Sequence, residues 1–254
     1  LLLRLSFDQK AKDSQLKDQD DDNQKPHSGS KLISESRLSS KLTLGLSRVL
    51  ILGVGWSGIK VAAHLAQANV GKIILVDHDK AVLKAAAETI QKNLQSGTET
   101  EFVCHELDFD AHVAEELIID VTLVVDCLEN WQDKLLASDV CMQLRKTLIH
   151  AGPSGNGMRF QIYAMRPGKS ACLRCAFPLA GIDDVPLIPE SNEQFEPIVA
   201  MVAAMQSLEA IKIMSRLGVS QGNELLKFDG LSGEFEIIRG LDPQHGCPDC
   251  GFAR

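Results

Sequence analysis

Positive charge is in deficit in this chain. Lys and Arg total 26 against 34 Asp and Glu, a formal net charge of -8 over 254 residues. Broad nucleic-acid binding needs clustered cations to face phosphates, so that class of partner is not expected. Unbroken apolar runs are also missing: none reaches the roughly 18 to 20 residues that cross a bilayer, so no membrane partner is expected. The opening Leu1-Leu-Leu-Arg-Leu5 is too short for a secretion signal and is soon followed by Asp8, Lys10 and Asp13. The expected location is therefore cytoplasmic. A first residue that is Leu rather than Met points to a processed or truncated start. No internal repeat is found. The seven cysteines include two C-x-x-C pairs, which in a chain without an export signal fit a reducing compartment and a metal better than disulfides.

With 44% hydrophobic residues the chain can bury one substantial core. Residues 8 to 42 are rich in Lys, Asp, Gln and Ser, carry the acidic run Asp18-Gln-Asp-Asp-Asp22, and lack periodicity until about Leu32. Residues 1–46 are thus expected to be a disordered or loosely attached leader, and 47–254 the folded domain.

The folded part is organised around Ser47 to Asp77. Arg48-Val-Leu-Ile-Leu52 reads as a strand buried on both faces of a parallel sheet. Gly53-Val-Gly55-Trp-Ser-Gly58 follows with G-x-G-x-x-G spacing, then a small-residue helix to Gln67 and a second strand, Lys72-Ile-Ile-Leu-Val76, that ends in Asp77. In such a unit the first glycine makes a tight turn, the second admits a phosphate and the third lets the helix pack closely. The unpaired amides of the helix N-terminus then hold phosphates, and an acid at the position of Asp77 accepts from a ribose hydroxyl. The pattern indicates a nucleotide site without naming the nucleotide.

Further along, a helix is expected over 81–93, a strand over 101–105, a short helix over 110–117 and a strand over 120–125 ending at Asp126. A helix opened by Glu129-Asn130 and a strand over 147–150 complete the alternation. The fold expected is α/β: a Rossmann-like, doubly wound, mainly parallel sheet whose ligand crevice lies beyond the carboxyl ends of the strands, where Asp77, Asp126, Glu129 and Asn130 fall. The glycine-rich stretch from Gly152 to Gly157 breaks the pattern, dividing a nucleotide-binding half, 47–151, from a second half, 152–254. In that half Arg159 to Met165 alternates like an antiparallel strand, Phe177 to Pro197 reads as an irregular loop, 198–217 as a helix, and a strand pair runs to Ile238.

Cys172-x-x-Cys175 and Cys247-x-x-Cys250 have the spacing of paired knuckles for a tetrahedral zinc. Four thiolates leave no open position, so the expected role is a structural clip. Redox pairs are the alternative. Cys127, at a strand end near the crevice, reads as a buried small residue, with a reactive thiol as its alternative.

From Ser47 to Gly251 the chain resembles the ThiF/MoeB/HesA family, relatives of the ubiquitin-activating enzymes. The resemblance rests on Arg48 to Gly55, Gly71-Lys-Ile-Ile-Leu-Val-Asp-His-Asp79, Val125-Asp-Cys-Leu-Glu-Asn130, Cys172-Leu-Arg-Cys175, Ser207-Leu-Glu-Ala-Ile-Lys212 and Gly246-Cys-Pro-Asp-Cys250. It implies ATP-dependent adenylation, with magnesium, of the C-terminal glycine of a ubiquitin-fold carrier ending in Gly-Gly, by a homodimer. It further implies that Gly53, Gly55, Gly58, Asp77, Asp79, Asp126 and Asn130 surround ATP, and that Glu129 stands where an aspartate usually helps bind magnesium. Lys80 or Lys84 would supply the lysine that reaches the phosphates.

The family's Asn- and Arg-bearing segment after the Asp-x-Asp tip has no counterpart here, because Asp79 passes directly into Lys80. No cysteine lies between Pro189 and Ser191, where some members carry one for thioester or persulfide chemistry. Two other readings stay open: a non-catalytic member that binds a carrier or pairs with an active subunit, and an NAD-dependent oxidoreductase, which leaves the cysteine pairs unexplained.

Overall fold

The computed structural model describes residues 3–5, 39–93, 98–154, 157–178, 196–220 and 222–251. Its strands are β1 (Leu3–Leu5), β2 (Arg48–Leu52), β3 (Lys72–Asp77), β4 (Glu101–Glu106), β5 (Leu123–Asp126), β6 (Thr147–Ser154), β7 (Arg159–Met165), β8 (Glu224–Asp229) and β9 (Glu234–Arg239). Its helices are α1, described over 39–46, and α2 (Trp56–Gln67), α3 (Lys80–Asn93), α4 (Ala114–Ile119), α5 (Trp131–Gln143), α6 (Leu173–Ala176) and α7 (Glu196–Ser215).

The strands form one mixed sheet in the order β1-β4-β3-β2-β5-β6-β7-β8-β9. Strands β4, β3, β2, β5 and β6 are parallel, while β1 and the run β7-β8-β9 pair antiparallel at the two ends. The parallel core is buried on both faces because the interior positions of its strands are mostly apolar. Val49, Ile51, Ile73, Leu75, Leu123, Val125 and Ile149 pack under α2, α3 and α7. The alternate residues Leu50, Leu52, Ile74, Val76, Val124 and Leu148 pack under α4 and α5.

Several boundaries differ from those expected. Of the leader expected over 1–46, Leu3–Leu5 form β1 and 39–46 form α1, whose Leu44 joins the core ahead of Ser47, while residues 1–2 and 6–38 lie outside the described residues. The alternation does break at the glycine-rich stretch, as β6 pairs directly with antiparallel β7, but β6 runs beyond the strand expected over 147–150, through Gly152 and Pro153 to Ser154. Beyond His150, β6 has lost β5 as a neighbour, and proline and glycine are tolerated at such a sheet edge. The division at 151/152 therefore falls inside a shared strand. Helix α7 begins at Glu196, and the Pro-rich stretch before it lies almost wholly outside the described residues. Although no unbroken apolar run of bilayer length was expected, α7 is long and apolar enough to cross a membrane. Its Val202, Ala203, Ala210 and Met214 are instead buried against the sheet, as in a core helix.

Candidate functional site

Register places the site. Leu52 of β2 is level with Val76 of β3 and with Asp126 of β5, which is level with His150 of β6. The chain leaves these strand ends side by side, at the point where its path reverses direction across the sheet, and ligands of open α/β sheets bind at such a point.

At the end of β2 the three glycines do different work. Gly53 has φ +81°, and a Cβ there would lie 2.5 Å from the carbonyl oxygen of Cys127. A Cβ on Gly58 would run into the carbonyl oxygen of Gly53, so both positions need glycine for packing. Gly55 faces open space. It is also the N-cap of α2 and offers no side chain to the first-turn amides, which leaves those donors for an anion. Trp56 does not close this niche from within; it is 58% exposed.

Asp77 braces the loop. Its Oδ2 accepts from the Val54 amide at 2.8 Å and its Oδ1 from the Asp79 amide at 3.0 Å. An ionised carboxylate has about four acceptor positions, so two remain for hydroxyl donors, and the side chain keeps 11% exposure. Asp79 caps α3 by accepting from Ala81 N at 2.7 Å. Lys80 reaches Glu106 at 3.2 Å, and Lys84 is exposed one turn later. Neither lysine bonds to the glycine loop among the described residues. Glu129 is exposed in the turn after β5, and Asn130 caps α5, its Oδ1 accepting from Asp133 N at 2.8 Å.

Asp126 is where expectation and structure part. Rather than facing a nucleotide it is fully buried, accepting from Lys134 Nζ at 3.0 and 3.1 Å and from His150 Nδ1 at 2.7 Å. Lys134 Nζ also donates to the Ala151 carbonyl at 3.1 Å. Together with the Leu128 amide, which donates to Oδ1 at 3.0 Å, these two buried cation-capable groups fill the carboxylate's acceptors. Cys127 is partly buried: its desolvated surroundings push its thiol up to about 12, and it points to Gln206 Oε1 at 3.8 Å. That excludes an activated nucleophile.

On the α5 side of the sheet the two cysteine pairs meet. Cys172, Cys175, Cys247 and Cys250 bring their sulfurs within 4.8 Å of one another. Cys172 and Cys247 are 3.7 Å apart and Cys175 and Cys250 are 3.6 Å apart, while the Gln244 amide donates to the Cys175 sulfur at 3.4 Å. Tetrahedral zinc with Zn–S bonds of about 2.3 Å sets sulfurs about 3.8 Å apart, so the cluster has the spacing of a closed four-thiolate site. Its thiols are out of balance as they stand. Burial raises Cys172 and Cys250; it also opposes ionisation of Cys247, but hydrogen bonds from the Cys250 and Asp249 amides outweigh it and lower that thiol. A divalent ion would let all four ionise.

The model of the ThiF family matches residues 80–249, about two thirds of the chain. The chain belongs to the ThiF family. Among its curated relatives, the adenylyltransferase and sulfurtransferase MOCS3 of Caenorhabditis briggsae is 30% identical over 244 residues, covering 87% of this chain and 58% of that one. The protein of the same name from Dictyostelium discoideum is 30% identical over 234 residues, covering 84% and 54%. The ThiF-family chain thus spans little more than half the length of these relatives. Among solved structures, Escherichia coli MccB with ATP superposes with a TM-score of 0.69 at 18% identity, covering 85% of this chain and 70% of that one. MccB in complex with N-formylated MccA gives 0.71 at 17% identity, covering 87% and 74%. At these identities the likeness establishes the fold.

Sequence reasoning missed Lys134 and His150. Their signals were present: Lys134, Ser138 and Cys141 share the buried stripe of α5 at helical spacing, and His150 closes an apolar strand. The pair also carries a pH consequence. Burial holds His150 below its ordinary range, so as pH falls through about 6.5 the unfolded chain takes a proton that the folded chain refuses. Burial opposes ionisation of Asp126, but Lys134 and His150 outweigh it and lower that carboxyl; its contribution persists down to about pH 3.9 and is lost below. The urea midpoint of this ThiF-family chain should therefore fall between pH 7 and pH 5 and more steeply below 4. A midpoint unchanged from pH 7 to pH 5 would contradict a buried neutral His150.

Proposed function

We propose that this ThiF-family chain adenylates the C-terminal carboxylate of a small partner, a ubiquitin-fold carrier ending in Gly-Gly, with ATP as donor. The observation that carries the reading is the row of strand ends: Asp77 on β3, the open, uncapped glycine loop on β2 and exposed Glu129 after β5. In this reading the α2 amides take the phosphates, Asp77 takes the ribose and Glu129 helps hold Mg2+. A magnesium ion bound there would offset charge on the phosphates. The carrier's carboxylate oxygen attacks the α-phosphorus as the bond to pyrophosphate breaks, and pyrophosphate leaves with the electron pair. The names of the relatives support adenylyl transfer, and those of the solved structures support ATP and a peptide as ligands of MccB. Zinc in the four-cysteine cluster and a homodimer belong to the same proposal.

A second reading, a non-catalytic partner subunit, is favoured by one observation: α3 starts at Lys80 directly after Asp79, leaving no segment at that strand end to bring further cations to the phosphates. Carrier-dependent exchange of labelled pyrophosphate into ATP separates the two. Exchange supports adenylation, while a rise in melting temperature with ATP-Mg2+ but no exchange with any Gly-Gly carrier supports the partner reading. Asp77→Ala should weaken ATP binding roughly 5- to 150-fold, by about 1–3 kcal/mol for a lost charged hydrogen bond. Unchanged affinity in calorimetry would remove Asp77 from the ribose.

A further inference from the structure

His150 Nε2 is the one buried side-chain nitrogen or oxygen without a hydrogen-bond partner among the described residues. Its state follows from geometry. Nδ1 lies 2.7 Å from a carboxylate that also holds Lys134, so Nδ1 carries the proton and donates it. A second proton on Nε2 would leave the buried group of Asp126, Lys134 and His150 with a net positive charge, so Nε2 offers a lone pair. The ring cannot easily turn away. Trp131 and Phe177 pack on it with centroids 5.3 and 5.2 Å distant.

A second feature sits beside this acceptor. Gly152, the next residue on the same face of β6 and itself buried, carries no side chain beside the ring. Among the described residues, a Cβ there would meet only His150 Cε1 and Nε2 within 4 Å, at 3.6 and 3.7 Å. A lone-pair acceptor and a glycine thus share one niche at the end of β6.

The strand order says what passes it. Asp77, the glycine loop and Glu129 stand on or just after β3, β2 and β5, and β6 comes next. Sugar, phosphates and metal occupy the first three positions in the proposed reaction, so the acyl substrate enters over the fourth. Strands are about 4.8 Å apart and an extended residue advances about 3.3 Å. The niche therefore lies two to three residues upstream of a carboxylate poised over β2.

We propose that His150 Nε2 is a positioning acceptor for a backbone N–H within the last three residues of the substrate's tail, and that Gly152 is glycine to admit that backbone. The assignment rests on the adenylation reading. It makes the site selective for an extended, unbranched peptide end, which passes a residue without a side chain.

The test uses the full chain and a ubiquitin-fold carrier ending in Gly-Gly, made by semisynthesis with an amide or an ester at each of its last three linkages in turn. An ester removes one N–H donor. In pyrophosphate exchange, one ester position should lower kcat/KM for the carrier about tenfold, as for one lost hydrogen bond, while the other two change it little. Gly152→Ala is expected to fold, because its Cβ makes ordinary contacts and Gly152 has no left-handed φ. It should keep ATP affinity, show the same tenfold loss with the amide carrier, and be insensitive to the ester. Equal activity of all three esters, or an unchanged kcat/KM in Gly152→Ala, overturns the role of the niche while leaving adenylation intact. Wild-type chain that binds ATP but shows no carrier-dependent exchange overturns the adenylation reading, and this assignment with it.

Discussion

Lys134→Met should cost about 3–5 kcal/mol of folding stability, because it leaves the Asp126 carboxylate buried without its cation. The wild-type pair has little freedom to adapt: Asp126 is fully buried, Lys134 Nζ spans both its oxygens, and the same ammonium ties α5 to the Ala151 carbonyl on β6. Methionine fills most of the lysine stem's volume, so the loss reads the charge more than a cavity. In a domain of this size the melting temperature should drop by about 6 to 20 °C. Pairing the change with Asp126→Asn removes the stranded charge while keeping an oxygen for His150 Nδ1–H. That double variant should recover a measurable part of the loss, with a coupling of about 1–3 kcal/mol in urea denaturation. A single variant within about 1 kcal/mol of wild type would mean that Asp126 is not an ionised partner of Lys134.

Loss of metal from the cysteine cluster is the other change expected to be large. Purified chain should carry about one zinc, the stoichiometry of one four-cysteine site. Chelation or Cys250→Ser should release the segment from Asp242 to Gly251 from α6, since this segment is mostly exposed and meets the domain largely through Cys247 and Cys250. Zinc in small structural sites contributes on the order of 10 kcal/mol or more to binding. Here the domain has its own core, so the effect should divide between detachment of the segment and global unfolding. Phe177 gives a local reporter: it follows Cys175 by two residues and packs on Trp131 at 5.3 Å. Tryptophan fluorescence should change on chelation before far-ultraviolet circular dichroism does. A chain that is metal-free as purified, fully folded and unaffected by chelator would remove zinc from this account.

Much of the architecture was legible because its signals are local. The apolar run of β2, the three glycines and the acid at Asp77 lie within thirty residues of one another, and each has a short-range steric or hydrogen-bonding reason for its place. The cysteine pairs were legible by spacing alone, although they meet from opposite ends of the second half. What was not legible depended on contacts between distant segments. Asp126 at a strand end looks the same in sequence whether it faces a ligand or a buried ammonium. The difference lies in Lys134, which the turns of α5 carry back beneath the strand end, and in His150, which register sets level with it. The strand expected over 147–150 ran on to Ser154, since glycine and proline are tolerated where β5 ends and leaves an edge.

The sequence by itself determined the class of fold, the order of the elements, the glycine loop with its acid and the pairing of the four cysteines into one cluster, because periodicity, steric need and residue spacing are properties of neighbouring residues. Only the tertiary structure decided which polar groups the crevice keeps. Burial withdrew Asp126 into the interior, α5 brought Lys134 to neutralise the buried charge, and the register of β6 against β5 set an unpaired histidine nitrogen beside a glycine. The physical reason is desolvation. It makes a polar side chain's role depend on which partners the whole fold places within hydrogen-bond reach, and that is not a property of the residue or of its neighbours in the chain.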